Sequence, residues 1–390
     1  MKNETTAPSP IDRMIDYLIT HYAFRYNTVM NCTEYRPVDS PVGSFEPLDS
    51  RTRRRIILEV QCEGIEVSQN DIRNYIDSDY VRQYDPVGDY LAECEGAWDG
   101  HDHIGDLART VPTDTPLWRE WFTTWLLAMV SQWQNQSSRL YGNSVAPLLI
   151  SPQGYNKSTF CRRLLPDALK WGYTDSLALS DRRQVMLAMS QQLLINLDEF
   201  NQISPRVQQG FLKNIIQLPS VKVKRPFGTH IEELPRKASF IATSNMTDIL
   251  ADPSGNRRFI GIELTAPIDT SRVPDHRQLF AQALQLLRNG RRSWLDKAET
   301  EQIMLWNRRY EIQEPADQYF SLCFSVADPL DPAAEWLSTA EIFDVIKQKV
   351  GSSLKANTLI AFGRKLANMP GMHRRKCETC TRYLVKRVGQ

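Results

Sequence analysis

Residues 146–159 read Ala-Pro-Leu-Leu-Ile-Ser-Pro-Gln-Gly-Tyr-Asn-Lys-Ser-Thr, an apolar run that breaks into a loop ending in Lys157, Ser158 and Thr159. A loop of this kind binds phosphate. Main-chain N–H groups of the loop and of the following helix surround phosphate oxygens, the lysine reaches the outer phosphates, and the adjoining hydroxyl holds Mg²⁺. The expected chemistry is hydrolysis of a nucleoside triphosphate, with Gly154, Tyr155, Asn156, Lys157, Ser158 and Thr159 as the nucleotide-binding residues. The usual pattern, G-x-x-x-x-G-K-[ST], has glycine at both ends. Here Ser151 stands at the first glycine and Asn156 at the second. The glycine before the lysine commonly supplies a positive φ, and asparagine is the other residue that tolerates that region best. Gly154 adds backbone freedom inside the loop.

Hydrolysis also needs carboxylates, and the run Leu193-Leu-Ile-Asn-Leu-Asp-Glu-Phe200 ends in a pair about forty residues after Lys157. At the tip of a buried strand, Asp198 can hold Mg²⁺ together with Ser158, while Glu199 polarises the attacking water as general base. Taken alone, the pair could equally be a helix-capping turn. A further apolar strand, Ala238 to Ala242, ends in Thr243-Ser-Asn245, and the neutral amide of Asn245 can orient water beside the γ-phosphate. In isolation that tripeptide is an ordinary turn. Asp252-Pro-Ser-Gly-Asn-Arg-Arg-Phe259 then presents Arg257 and Arg258, either of which could stabilise charge on the transferring phosphoryl group. If the arginine serves a neighbouring subunit's nucleotide, a ring is required; a structural ion pair is the bland alternative. Lys222, Lys224 and Arg225, with Arg236 and Lys237 beyond a loop, could follow the phosphates of a single strand in a channel, or form an exposed charged hairpin.

The elements that must carry these residues follow from periodicity. Helical spacing marks Ile11 to Tyr22, Ser50 to Glu63 and Ser68 to Asp77, so the N-terminal region is expected to be mainly helical. Leu117 to Gln134 places Trp118, Phe122, Trp125 and Met129 on one stripe, a buried helix rather than a base-stacking platform. Apolar strands alternating with helices from about Tyr141 to Pro267 argue for an α/β unit with a mostly parallel sheet. Residues 276–289 form an amphipathic helix stopped by Gly290. A capping box at Ser338–Glu341, a second helix from about Lys355 to Asn368 and a basic hairpin from Met372 to Val388 read as a winged-helix-like unit. Three regions are therefore expected: 1–115, mainly helical, with a collar or oligomerisation role; 116–315, the nucleotide-binding core; and 316–390, the basic C-terminal unit.

The order of phosphate loop, strand ending in Asp-Glu, basic hairpin, strand ending in Asn and Gly-Asn-Arg-Arg-Phe resembles the virulence-associated E family, whose NTPase is similar to superfamily 3 helicases. Pro86-Val-Gly-Asp-Tyr-Leu and Trp98-Asp-Gly-His-Asp-His-Ile104 resemble the family's stretch before the core. The resemblance implies a P-loop core of AAA+/superfamily 3 type that takes ATP and Mg²⁺. Lys157, Ser158, Asp198, Glu199 and Asn245 would serve it, with Arg257 or Arg258 as arginine finger. It further implies a ring homo-oligomer, expected as a hexamer, acting as a helicase or translocase on single-stranded DNA for a phage or mobile element, alongside a primase or host replication factor. The rival expectation is an element-borne interference or regulatory protein that binds DNA or a host replication factor without unwinding.

Net charge is +1, so any polyanion site must be local. From Arg364 to Arg387 there are eight Lys or Arg residues and one acidic residue, Glu378, which makes Arg374 and Arg375 further DNA-binding candidates. Cys377 and Cys380, with His373 nearby, supply too few ligands for zinc and are expected on a hairpin. No apolar run approaches the ~20 residues of a membrane span. The opening residues lack an apolar signal core and the seven cysteines show no framework spacing, so a cytoplasmic protein is expected.

Overall fold

The computed structural model describes residues 8–40, 44–136, 142–224, 230–252, 256–312, 315–350, 358–369, 371–377 and 380–388. Helix α1 (Pro10–His21) opens with a capping box in which Ser9 accepts from the Asp12 N–H and the Asp12 side chain accepts from that of Ser9. Strands β1 (Tyr22–Asn27), β2 (Cys32–Pro37), β3 (Glu46–Pro47) and β4 (Gln83–Tyr84) form a sheet in the order β3-β2-β1-β4. Helices α2 (Ser50–Cys62) and α3 (Gln69–Ile76) pack with α1 through Met14, Leu18, Ile56, Val60, Ile72 and Ile76.

Helices α1, α2 and α3 lie where the helical spacing put them, and the hairpin β1–β2 is an element that the spacing did not announce. Its strands hold few aliphatic residues, so no apolar run announces them. They are held by specific pairs instead. Arg25 Nε lies 2.6 Å from Glu34, Asn27 Nδ2 donates to Glu34 over 2.7 Å, and the Tyr22 and Tyr35 rings stand 6.3 Å apart. The turn closes with Asn31 at φ 54° and with the Val29 and Met30 N–H groups donating to Asn27 Oδ1.

Helices α4 (Pro86–Cys94), α5 (His103–Arg109) and α6 (Trp118–Trp133) lead into an α/β unit. Its strands are β5 (Ala146–Ile150), β6 (Tyr173–Thr174), β7 (Leu194–Leu197), β10 (Ser239–Ser244) and β11 (Phe259–Glu263), all parallel, in the order β11-β5-β10-β7-β6. Between them come α7 (Lys157–Arg162), α8 (Arg182–Gln191), the short turns α9 (Pro205–Val207) and α10 (Lys213–Ile215) flanking a π-helical turn at Gln208–Leu212, and the antiparallel hairpin β8 (Ser220–Val223)–β9 (Glu232–Pro235).

A parallel sheet must be covered on both faces, and the side chains divide accordingly. Leu149, Leu194, Ile241 and Ile260 pack with α6 and with α11 (His276–Arg288), whereas Leu148, Ile195, Leu197 and Phe240 pack with α8 and residues 203–216. As expected, α6 is core: Trp118, Phe122, Trp125 and Met129 are buried, and Trp125 donates its indole N–H to the Phe240 carbonyl at 3.1 Å.

The chain continues through α12 (Lys297–Asn307) to a C-terminal unit of α13 (Pro315–Cys323), β12 (Phe324–Val326), β13 (Ala334–Ser338), α14 (Thr339–Val350), α15 (Thr358–Asn368), β14 (Arg374–Lys376) and β15 (Thr381–Arg387). Strand β15 pairs antiparallel with β12, β13 and β14. Phe320, Ile342, Ile346, Phe362, Leu366 and Val385 form this unit's own core. No helix of the described residues is long and apolar enough to cross a membrane.

Two residues expected to touch DNA lie inside the protein. Arg236 is 1% exposed and donates to the carbonyls of Ala238 (2.7 Å), Ile216 (2.5 Å), Leu218 (3.1 Å) and Asn143 (3.1 Å), with its guanidinium 5.1 Å from the Phe240 ring centre. Lys237 is buried too, its ammonium donating to the Trp133 carbonyl over 2.5 Å. The physical reason is convergence: carbonyls at the end of α6, ahead of β5, ahead of β8 and just before β10 meet here, and two long cationic side chains satisfy them from within. Arg236→Ala should therefore cost about 2–4 kcal/mol of stability, since it orphans several buried carbonyls and opens a cavity. Urea unfolding measures this; an unchanged midpoint would return Arg236 to the surface.

Candidate functional site

The register of the parallel sheet assembles the site. Ser244 lies opposite Ile150, which brings Asn245 beside Ser151, and Ala242 lies opposite Leu197, which brings Thr243 beside Asp198. Strand β5 sits between β10 and β11, so the chain leaving it enters the crevice at the carboxyl ends of the strands, where ligands of such sheets bind. The cleft there measures about 340 Å³ and is lined by Gln153 to Thr159, Asp198, Glu199 and Thr243 to Asn245.

Two backbone features shape the loop between β5 and α7. Gly154 stands at φ 83° and Asn156 at φ 62°, ψ 19°, the left-handed conformation anticipated for the residue at the second glycine position. Asn156 makes no side-chain cap of α7; its amide instead donates to the Ile268 carbonyl at 3.0 Å, and the Ile268 N–H donates to the Tyr155 carbonyl at 3.1 Å. The main-chain N–H groups of the first turn of α7 thus keep no intrahelical partner and open on the cleft that Lys157, Ser158 and Thr159 line.

Lys157 is 8% exposed. Its ammonium donates to the Ser151 carbonyl (2.7 Å), Ser151 Oγ (2.9 Å), the Pro152 carbonyl (2.9 Å) and Asn245 Oδ1 (3.0 Å). Burial lowers its pKa below the ordinary lysine range, and the Asp198 carboxylate opposes that shift. Ser158 Oγ lies 3.4 Å from Asp198 Oδ1, which also accepts from Thr243 Oγ1. A hydroxyl and a carboxylate side by side fit Mg²⁺, an ion that takes one or two protein oxygens and fills its other positions with water and phosphate. Among the described residues no cluster of three or more His, Cys, Asp or Glu could hold a metal by itself.

Glu199 is held at φ 49°, ψ 48°, and Gln202 donates its amide to Glu199 Oε2. The other non-glycine residues at positive φ among those described, Asn31, Asn135 and Asn156, are all asparagine. A glutamate there carries strain of about 1–2 kcal/mol, and strain of this kind gathers at functional sites. Thr243, Gln202 and the Ser151 hydroxyl were not foreseen as site residues, because only strand register and loop closure bring them to the carboxylates and the lysine.

The other expected site residues lie elsewhere. Phe259 is opposite Ala146 and Glu263 opposite Ile150, so Arg257 and Arg258, which precede β11, sit at the sheet edge opposite the cleft. Arg258 is 9% exposed and donates to Gln217 Oε1 at 2.8 Å, its pKa lowered by burial and by Arg257 next to it. Arg257 is exposed. Neither reaches this chain's own cleft. Lys222 and Lys224 are exposed on and after β8, with Lys222 Nζ 3.8 Å from Glu233, while Arg225 lies outside the described residues. Arg374 and Arg375 are exposed on β14.

Residues 91–312 of the 390 match the model of the virulence-associated protein E-like domain. The chain belongs to that family. Residues 313–385 match a domain of unknown function, DUF3874. No curated protein matches the chain. Among solved structures it is similar to the apo C-terminal region (305–718) of NrS-1, with a TM-score of 0.50 and 11% identity over 98% of this chain and 100% of that one. An A-form apo structure of the same region gives 0.48 and 12% over 97% and 100%. Identity this low speaks to fold alone.

For this family member the loop geometry makes a direct prediction. Asn156→Val should destabilise by about 1–2 kcal/mol, because a branched side chain is forced into the left-handed region. Asn156→Gly should cost less, and thermal melting of the two variants ranks them.

Proposed function

We propose that the chain is an ATPase of superfamily 3 type, with an AAA+-like P-loop core, that moves or unwinds DNA as a ring in replication or mobilisation of a phage or mobile element. The observation that carries this reading is the convergence of Lys157, Ser158, Asp198, Glu199 and Asn245 on one cleft at the carboxyl edge of a parallel sheet. In it, main-chain N–H groups at Lys157 to Thr159 receive the β- and γ-phosphates, and Lys157 reaches the outer phosphate. Ser158 and Asp198 hold Mg²⁺, which when bound neutralises developing phosphate charge. Glu199 takes the proton of the attacking water and Asn245 orients that water.

Arg257, exposed at the far edge of the sheet, is the residue we assign as arginine finger toward a neighbouring subunit's nucleotide; the buried Arg258 supports the strand beneath it. A ring, read as a hexamer, follows from that assignment. Lys222 and Lys224 of the β8–β9 hairpin would face single-stranded DNA in its channel, and the sequence reading adds Arg225 to them. We read the C-terminal unit as winged-helix-like, with Arg374 and Arg375 on the wing meeting phosphates. Association with a primase or host replication factor belongs to the same reading.

A second reading, an element-borne interference or regulatory protein that binds DNA or a host replication factor without unwinding, draws on Lys157, whose ammonium is already surrounded by the chain's own oxygens. DNA-stimulated hydrolysis with strand displacement separates the two, since only the helicase produces both.

Lys157→Ala should abolish Mg²⁺-dependent ATP hydrolysis, and a wild-type rate in that variant would sink the site assignment. Arg257→Ala should slow hydrolysis by roughly 10³-fold. Mixing the two inactive variants should restore part of the rate, because some interfaces then combine an intact lysine with a neighbour's intact arginine. A mixture no faster than its components would argue against the shared site.

A further inference from the structure

Ser151 stands where the phosphate-loop pattern has its first glycine, and its side chain is engaged. It is buried, its N–H donates to the Ser244 carbonyl at 3.2 Å and its hydroxyl to the Pro152 carbonyl at 3.0 Å. With that proton directed to Pro152, an oxygen lone pair is left for Lys157 Nζ at 2.9 Å. An ammonium has three N–H donors, and the oxygens of Ser151 (carbonyl and hydroxyl), Pro152 and Asn245 use them all within 3.0 Å. A glycine at this position would offer its carbonyl alone.

We infer that Ser151 is a positioning residue whose hydroxyl parks Lys157 against the loop and thereby weakens triphosphate binding. Four oxygens share the three donors, so the hydroxyl competes with the ligand for part of one charged hydrogen bond as the ammonium leaves this ring to reach an outer phosphate. The competition bears on phosphates that Lys157 touches. It should be felt by a triphosphate and hardly at all by a monophosphate, which distinguishes parking from a general loosening of the loop. This inference rests on the nucleotide reading above.

The test uses the full chain as wild type, Ser151→Ala and Ser151→Gly, with Mg²⁺ and fluorescent analogues of ATP and AMP. Both variants should bind the ATP analogue about three- to tenfold more tightly, up to the worth of one shared charged hydrogen bond, with AMP-analogue affinity unchanged. If Ser151→Ala fails to melt cooperatively, Ser151→Gly, which restores the residue of the pattern, carries the comparison. Wild type and variants binding ATP equally, or the variants binding it more weakly, would overturn the parking role and leave the triphosphatase reading standing. No binding by any of them would overturn both.

Discussion

A parallel sheet has no solvated face, and that constraint organises the rest of this protein. Its strands must be apolar on both sides, so the helices that connect them are pressed onto the two faces and only the strand ends meet water. Because β5 lies between β10 and β11, the chain emerging from Ile150 cannot lie on either neighbour and turns into the crevice between them. The same order lets the ends of β7 and β10 deliver Asp198 and Asn245 beside the loop that follows β5. The opposite edge bears the converse burden. There the strands begin, main-chain carbonyls lack partners, and Gln132, Arg236 and Lys237 satisfy them from within.

The cleft is poised by competing interactions rather than by one strong bond. Lys157 is desolvated, which disfavours its charge, yet it is ringed by oxygens that favour it. Asp198 is shared between Ser158 and Thr243. Glu199 occupies a backbone conformation that costs free energy, with Gln202 donating to its carboxylate. Each is a polar group of the cleft held by hydrogen bonds with other residues of the chain.

Departures from expectation share a physical origin. The β1–β2 hairpin went unforeseen because its stability lies in cross-strand polar pairs such as Arg25–Glu34 and Asn27–Glu34, which leave no apolar signature. Arg236 and Lys237 looked like a surface patch because charge in a sequence is read as solvation. Burial became affordable only where carbonyl acceptors converged from Asn143, Ile216, Leu218 and Trp133. Arg257 and Arg258 are adjacent in sequence yet face different surroundings, one exposed and one tied to Gln217.

By itself the sequence determined what local chemistry and periodicity can encode: the buried strands, the aromatic helix α6, the capping boxes, the left-handed Asn156, and the order of motifs that resembles a known family. Those features depend on neighbours a few residues apart or on the repeat of a single element. Tertiary structure alone decided strand order, which of the paired arginines is exposed, which cations are interior, and that the Ser151 hydroxyl meets Lys157. These depend on register and loop closure between segments far apart in the chain, where a shift of one residue would reverse which side chains meet.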